Sequence, residues 1–160
     1  MTNLARRRFF KGRQNSTHQA LPWAVSKTDF FDKCERCTLC ISACETQIIK
    51  KGDGGFPTID FSQGECSYCY QCASVCPQPI FNLKSTNPWQ QTVSIDASCL
   101  TMQKVTCRSC EDACEPMAIT FKAILASPAQ PVINTDLCNG CGACIKPCPT
   151  QSLTISQGEH

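Results

Sequence analysis

The sequence predicts an α+β fold of two tandem, cysteine-rich modules, each built from short β-hairpins and short helices. Three observations predict it. Sixteen cysteines in 160 residues form four groups of four, with none left over. The three segments between the groups resemble one another, each running from a short apolar strand through turn residues to a β-branched strand. The groups also alternate in how they end. The first and third end Ala-Cys-Glu, at Ala43-Cys44-Glu45 and Ala113-Cys114-Glu115, and the second and fourth end Cys-Pro, at Cys76-Pro77 and Cys148-Pro149. Cys44 to Cys114 is 70 positions and Cys76 to Cys148 is 72, the mark of a duplicated two-motif unit.

The groups are Cys34, Cys37, Cys40, Cys44; Cys66, Cys69, Cys72, Cys76; Cys99, Cys107, Cys110, Cys114; and Cys138, Cys141, Cys144, Cys148. Three of them have the spacing Cys-x2-Cys-x2-Cys-x3-Cys, the run by which bacterial ferredoxins hold 4Fe-4S clusters. Three cysteines two residues apart, wrapped as a loop, each reach a different iron of a cubane, and the fourth is expected to start a helix that leads to the neighbouring cluster. The modules are therefore predicted to be bacterial-type ferredoxin-like, with up to four clusters ligated by all sixteen cysteines. A tetrahedral zinc, with bonds of about 2.3 Å, usually takes two short Cys-x2-Cys hooks from separate segments. A disulfide scaffold does not require this fixed rhythm. Both fit the spacing less well than clusters do.

The third group departs from the run, because seven residues separate Cys99 from Cys107. Cys99 is either a ligand at the base of a longer loop or a buried thiol beside a three-cysteine site, and ligand count favours the first. Pairing between motifs also has two forms. In the tandem form Cys34, Cys37 and Cys40 share a site with Cys76, and Cys66, Cys69 and Cys72 with Cys44. In the same form Cys99, Cys107 and Cys110 share a site with Cys148, and Cys138, Cys141 and Cys144 with Cys114. The nested form instead pairs motif one with four and two with three. The alternating endings favour the tandem form.

Along the chain, residues 1–28 read as a basic, flexible arm, 29–86 as the first module and 87–160 as the second. The linkers read as hairpins: Ile48-Ile49 with Pro57 to Asp60, Ile80-Phe81 with Val93 to Asp96, and Ala118 to Phe121 with Val132 to Asn134. Once cysteines are set aside apolar residues are sparse, so metal-ligand bonds are expected to supply much of the folding energy. The formal charge of +2 becomes about −6 with four dianionic clusters, which argues against a nucleic-acid partner. No run of about eighteen apolar residues is present to span a membrane.

Other features carry less. Gly52-Asp53-Gly54-Gly55 lacks a following Lys-Ser or Lys-Thr, so nucleotide binding has no support. No nucleophile and base assemble, which leaves side-chain catalysis unsupported and the chain without an enzyme reading. Tyr68, Tyr70, Phe61, Phe81, Trp89 and Phe121 are expected to pack over the clusters and exclude water. Neither His18 nor His160 has a role in the sequence. Arg6-Arg7-Arg8-Phe9-Phe10-Lys11 is similar to the heart of a twin-arginine export signal, but Gly12 to His18 is polar and Leu21-Pro22-Trp23 is short and broken by proline. The expectation is an uncleaved cytoplasmic chain whose arm is either a solvated basic segment or a docking element.

The arm Arg6 to Arg13, Pro22-Trp23, the run Cys66-Ser67-Tyr68-Cys69-Tyr70-Gln71-Cys72 and the stretch Cys110 to Ile119 together resemble the NapF family. These are ferredoxin-type accessory proteins of periplasmic nitrate reductase systems, and the resemblance covers almost the whole chain. It implies a cytoplasmic polyferredoxin that meets the precursor of the reductase catalytic subunit before export. There it would assist maturation or activation by supplying electrons or cluster components. The other reading is a general electron-transfer subunit linking a dehydrogenase or quinol pathway to a reductase.

Overall fold

The computed structural model describes residues 19–157. Arg6 to Lys11, His18 and His160 lie outside the described residues. Ten short elements follow in order: α1 (Lys27–Lys33), α2 (Leu39–Ser42), β1 (Ile49–Lys51), β2 (Pro57–Ile59), α3 (Gln71–Ser74), β3 (Gln91–Ile95), α4 (Ser109–Asp112), β4 (Ile119–Ile124), β5 (Ser127–Ile133) and β6 (Leu153–Gln157).

Two of the three expected hairpins form. In β1–β2, Ile49 faces Ile59, and a single 3-10 turn at Asp53–Gly55 reverses the chain between them. In β4–β5, Ile119 faces Ile133, with a bulge between Lys122 and Ile124. Pro128 and Pro131 are tolerated in β5 because this sheet has only two strands, so one edge of β5 needs no donors.

The middle linker is a correction. Phe81 does not pair with the Val93 strand. It bridges Ala24, and β3 instead pairs antiparallel with β6, matching Val93 to Ile155 and Ile95 to Leu153. The modules thereby become copies of one plan. In each, an outer pair joins the module's first and last extended segments, Ala24 with Phe81 or β3 with β6, and an inner hairpin lies between the two cysteine loops. Alternation along β3 sorts its side chains. Gln91 and Val93 are buried, whereas Thr92 and Ser94 face outward, with the Ser94 and Thr154 hydroxyls 2.9 Å apart across the ladder.

The same plan corrects the reach of the amino-terminal arm. Residues 19–28 are packed: Leu21 and Trp23 are almost fully buried, and the Trp23 indole donates to the Thr86 carbonyl at 3.0 Å. The Gln19 amide donates to Thr58 Oγ1 at 3.1 Å. The turn Leu21-Pro22-Trp23 leads into Ala24, which supplies the outer strand position of the first module. Ser26 then caps α1, accepting from the Asp29 amide at 3.3 Å.

The apolar interior is two clusters, one per module. Leu21, Phe30, Ile48, Ile49, Ile59, Phe61 and Ile80 fill the first, and Val93, Ile119 and Leu153 the second. Ile145 and Ile155 pack against both. Cysteines belong to each cluster, as the sparse apolar composition requires.

Candidate iron-sulfur sites

All sixteen thiols are unpaired with one another, and they ring four cavities. Site 1 is lined by Cys34, Cys37, Cys40 and Cys76, and site 2 by Cys66, Cys69, Cys72 and Cys44. Site 3 is lined by Cys99, Cys107, Cys110 and Cys148, and site 4 by Cys138, Cys141, Cys144 and Cys114. Each ring thus takes three cysteines from one motif and the last cysteine of its partner motif in the same module. The cavities measure about 330 to 430 Å³, mouths included.

The crossing follows from local structure, with one correction: the short helix precedes the fourth cysteine of a motif and does not start at it. In the first motif Cys40 lies on α2, and the turn that ends the helix hands Cys44 to the other site; α3 does the same from Cys72 to Cys76 and α4 from Cys110 to Cys114. In the fourth motif a turn without a helix carries the chain from Cys144 to Cys148. The three regular loops share a backbone signature. Residues two and four after the first cysteine have positive φ: Arg36 and Thr38, Tyr68 and Tyr70, Gly140 and Gly142. Left-handed residues at alternating positions curl the loop so that backbone amides and thiols line one concavity, which favours an anion. Side chains there cost strain, so the repetition at fixed offsets marks a functional constraint.

The irregular third motif reaches the same result by another route. Its first cysteine is brought back by a stack of turns in which Met102 and Gln103 donate to the Cys99 carbonyl, and Val105 donates to the Leu100 carbonyl at 2.9 Å. Cys99 therefore stands in the ring with Cys107 and Cys110, and the seven-residue spacer is a folded plug.

Burial raises the more enclosed thiols. It pushes Cys40, Cys66 and Cys110 up to about 11, and Cys72 and Cys144 up to about 12, with neighbouring thiols of the same ring adding to the rise. Neutral thiols are the consequence in a metal-free chain. Cys148 is the exception: burial raises it, but donors from Ser152 and Thr150 outweigh that and hold it below its ordinary value.

Those donors belong to a set that sequence reasoning missed. Hydroxyls stand near sulfur at Cys44 (Thr46, 3.6 Å), Cys99 (Thr101, 3.3 Å), Cys107 (Ser109, 3.6 Å) and Cys148 (Thr150, 3.7 Å; Ser152, 3.3 Å). Four of the five follow a Cys-x-Ser/Thr pattern that the sequence displays, and four of the five serve site 3. Of the aromatics expected to cover the clusters, Tyr70, Phe81 and Phe121 line sites 2, 1 and 3, whereas Tyr68, Phe61 and Trp89 line none of the four cavities and pack on one another. Trp23 meets Tyr70 edge to face at 5.0 Å, Tyr68 and Phe61 both meet Trp89, and the Arg108 guanidinium sits 5.1 Å over Phe121.

The rings suit a cubane better than a single ion. Among the described residues no group of three His, Cys, Asp or Glu side chains is placed to hold a single metal ion, as a tetrahedral zinc site would require. Four thiols around an apolar cavity are the donor set of a 4Fe-4S cluster.

Comparison with known proteins agrees. Residues 33–80 match the 4Fe-4S dicluster domain family and residues 131–154 the 4Fe-4S binding domain family. The chain is 42% identical over 152 residues to the ferredoxin-type protein NapF of Escherichia coli K12, covering 94% of this chain and 93% of the relative. It is also 42% identical over 166 residues to NapF of Haemophilus influenzae, covering 96% and 94%. Ferredoxin-type protein NapG of Escherichia coli K12 is more distant, at 25% identity over 166 residues. Among the described residues no helix is long and apolar enough to cross a membrane. With four-thiol rings, two matching 4Fe-4S domains and these relatives, the chain is a 4Fe-4S iron-sulfur protein and belongs to the NapF family of ferredoxin-type proteins.

Proposed function

We propose that each of the four rings holds one 4Fe-4S cluster, and that the protein is a cytoplasmic accessory factor for the catalytic subunit of periplasmic nitrate reductase, acting before that subunit is exported. The observation that carries the first part is the crossing: every cavity is lined by four thiols, three from one loop and one from its partner. A 4Fe-4S cluster supplies one-electron chemistry when bound. The chain's own residues would hold each cluster through four thiolates, exclude water with Phe30, Ile48, Ile119, Tyr70, Phe81 and Phe121, and offer hydroxyl donors to sulfur. Family membership supports the second part, since the NapF relatives match along almost the whole chain. Two properties are then separable: the cysteine loops carry redox chemistry, and the basic residues from Arg6 to Arg13 contact the precursor.

Anaerobically reconstituted protein is expected to bind about sixteen irons and about sixteen sulfides. Holo-protein used as bait should retain the unexported catalytic precursor. Removing Met1 to Arg13 should weaken that retention without changing the cluster spectrum, and Cys141→Ser should lower reductase activation even where binding survives. Full iron content with no precursor retained overturns the accessory reading and leaves a general one-electron carrier.

A further inference from the structure

The structure assigns a purpose to the contact between the modules: it joins the second and fourth cysteine loops so that sites 2 and 4 become neighbours, and the four sites form one line in the order 1, 2, 4, 3. This rests on the ligand sets proposed above.

The backbone makes the joint. The Cys66 amide donates to the Cys141 carbonyl at 2.9 Å, so a lining residue of site 2 is bonded directly to a lining residue of site 4. Among the described residues it is the one backbone hydrogen bond between cysteine loops of different modules. Side chains fix the geometry on both flanks. The Tyr68 hydroxyl crosses to the Asn139 carbonyl at 2.7 Å, where the Trp89 indole also donates at 2.9 Å. Lys146 crosses the other way to the Gln63 carbonyl at 2.9 Å. Gly142 lies so close to Phe61 that an added Cβ would fall 2.1 Å from the ring. Loops this tightly matched are docked, not merely tethered. Tyr68 and Lys146 are positioning residues, because they touch the partner loop and line no common cavity.

Within each module the sites are already adjacent, since α2 and α3 bridge sites 1 and 2, and α4 bridges sites 3 and 4. With the joint in place, one electron from a one-electron donor protein at either end can pass site by site to a one-electron acceptor protein at the other. The donor is oxidised by one electron and the acceptor reduced by one, with no atom or proton transferred.

The test keeps one site of each module. One variant of the full chain carries Cys34→Ala, Cys37→Ala, Cys107→Ala and Cys110→Ala and retains sites 2 and 4. Its counterpart carries Cys66→Ala, Cys69→Ala, Cys138→Ala and Cys141→Ala and retains sites 1 and 3. Each should bind about eight irons. Electron paramagnetic resonance of the dithionite-reduced proteins should show spin-spin interaction in the first and a simple sum of two isolated signals in the second. An uncoupled first variant at about eight irons overturns the line, whereas wild-type iron far below about sixteen overturns the ligand sets instead. Should either variant lose its iron, wild-type holo-protein with a protease site inserted after Lys84 decides. Cleaved modules should co-elute and keep the intact spectrum, and modules that separate with that spectrum unchanged refute the joint.

Discussion

Removing the buried hydroxyls of site 3 should lower the reduction potential of that site and leave the others in place. Thr101 and Ser152 are each 1% exposed, and each hydroxyl lies 3.3 Å from a ring sulfur, Cys99 and Cys148 respectively. A thiolate sulfur can only accept, so both hydroxyls donate once iron is bound. Hydrogen bonds to charged groups contribute about 1.5–3 kcal/mol. Only the difference between oxidation states moves a potential. Reduction takes a dianionic site to a trianion, so roughly 1 kcal/mol per bond favours the reduced form. Since about 1.4 kcal/mol is tenfold and tenfold is about 59 mV for one electron, each bond corresponds to about 42 mV. Thr101→Val with Ser152→Ala should therefore lower site 3 by about 84 mV, taking the two bonds as additive. Val keeps the volume and shape of Thr, and Ala removes one small atom, so the ring itself is retained. The assay is a redox titration followed by electron paramagnetic resonance, in which about a quarter of the reducible signal should move to lower potential. If no component shifts at unchanged iron content, the hydroxyls do not tune the site and the reasoning fails.

Three further outcomes are expected. Leu21→Ala should destabilise the holo-protein by about 2–5 kcal/mol, read as a lower Tm for loss of cluster absorbance, because Leu21 is a fully buried member of the first core; an unchanged Tm would return residues 19–25 to a loose arm. Gly142→Ala places a Cβ against the Phe61 ring at a φ of +82°, and overpacking of this kind costs about 1–3 kcal/mol; faster iron loss to a chelator checks it, and wild-type retention contradicts it. Cluster loading should also strengthen as pH rises from about 7 to about 8.5, since thiols pushed up to about 11 or 12 must surrender protons to bind iron. Proton release on reconstitution measures this directly, and pH-independent loading would count against buried neutral thiols in the metal-free chain.

The grouping of the thiols was more legible than the fold around them. Cysteine spacing is covalent information, and the alternation of Ala-Cys-Glu with Cys-Pro carried the tandem pairing that places Cys44 with Cys66, Cys69 and Cys72. The first and third linkers read correctly because each hairpin is local, its strands separated by a few turn residues. The middle linker misled for a matching reason: Phe81 and Val93 are each β-formers near a turn, but their partners, Ala24 and Ile155, are more than fifty residues away in sequence. Such pairing is set by tertiary packing over the clusters, and local pattern does not reveal it. Leu21 and Trp23 were lost to the arm by the same omission. Thr46, Thr101, Ser109 and Thr150 were visible as hydroxyls two residues after a cysteine, a pattern that went unused. The joint between modules was out of reach, because the Asn139 and Cys141 carbonyls act through backbone direction and no side-chain pattern announces that.

The positions of the irons test the proposed ligand sets most directly. An anomalous difference map at the iron edge, from crystals of the anaerobically prepared holo-protein, should show four iron groups. Each should be ligated by three cysteines of one motif and the last of its partner: Cys76 with Cys34, Cys37 and Cys40; Cys44 with Cys66, Cys69 and Cys72; Cys148 with Cys99, Cys107 and Cys110; and Cys114 with Cys138, Cys141 and Cys144. Three iron groups with Cys99 unligated, or Cys44 and Cys148 exchanged between motifs one and four, would contradict them.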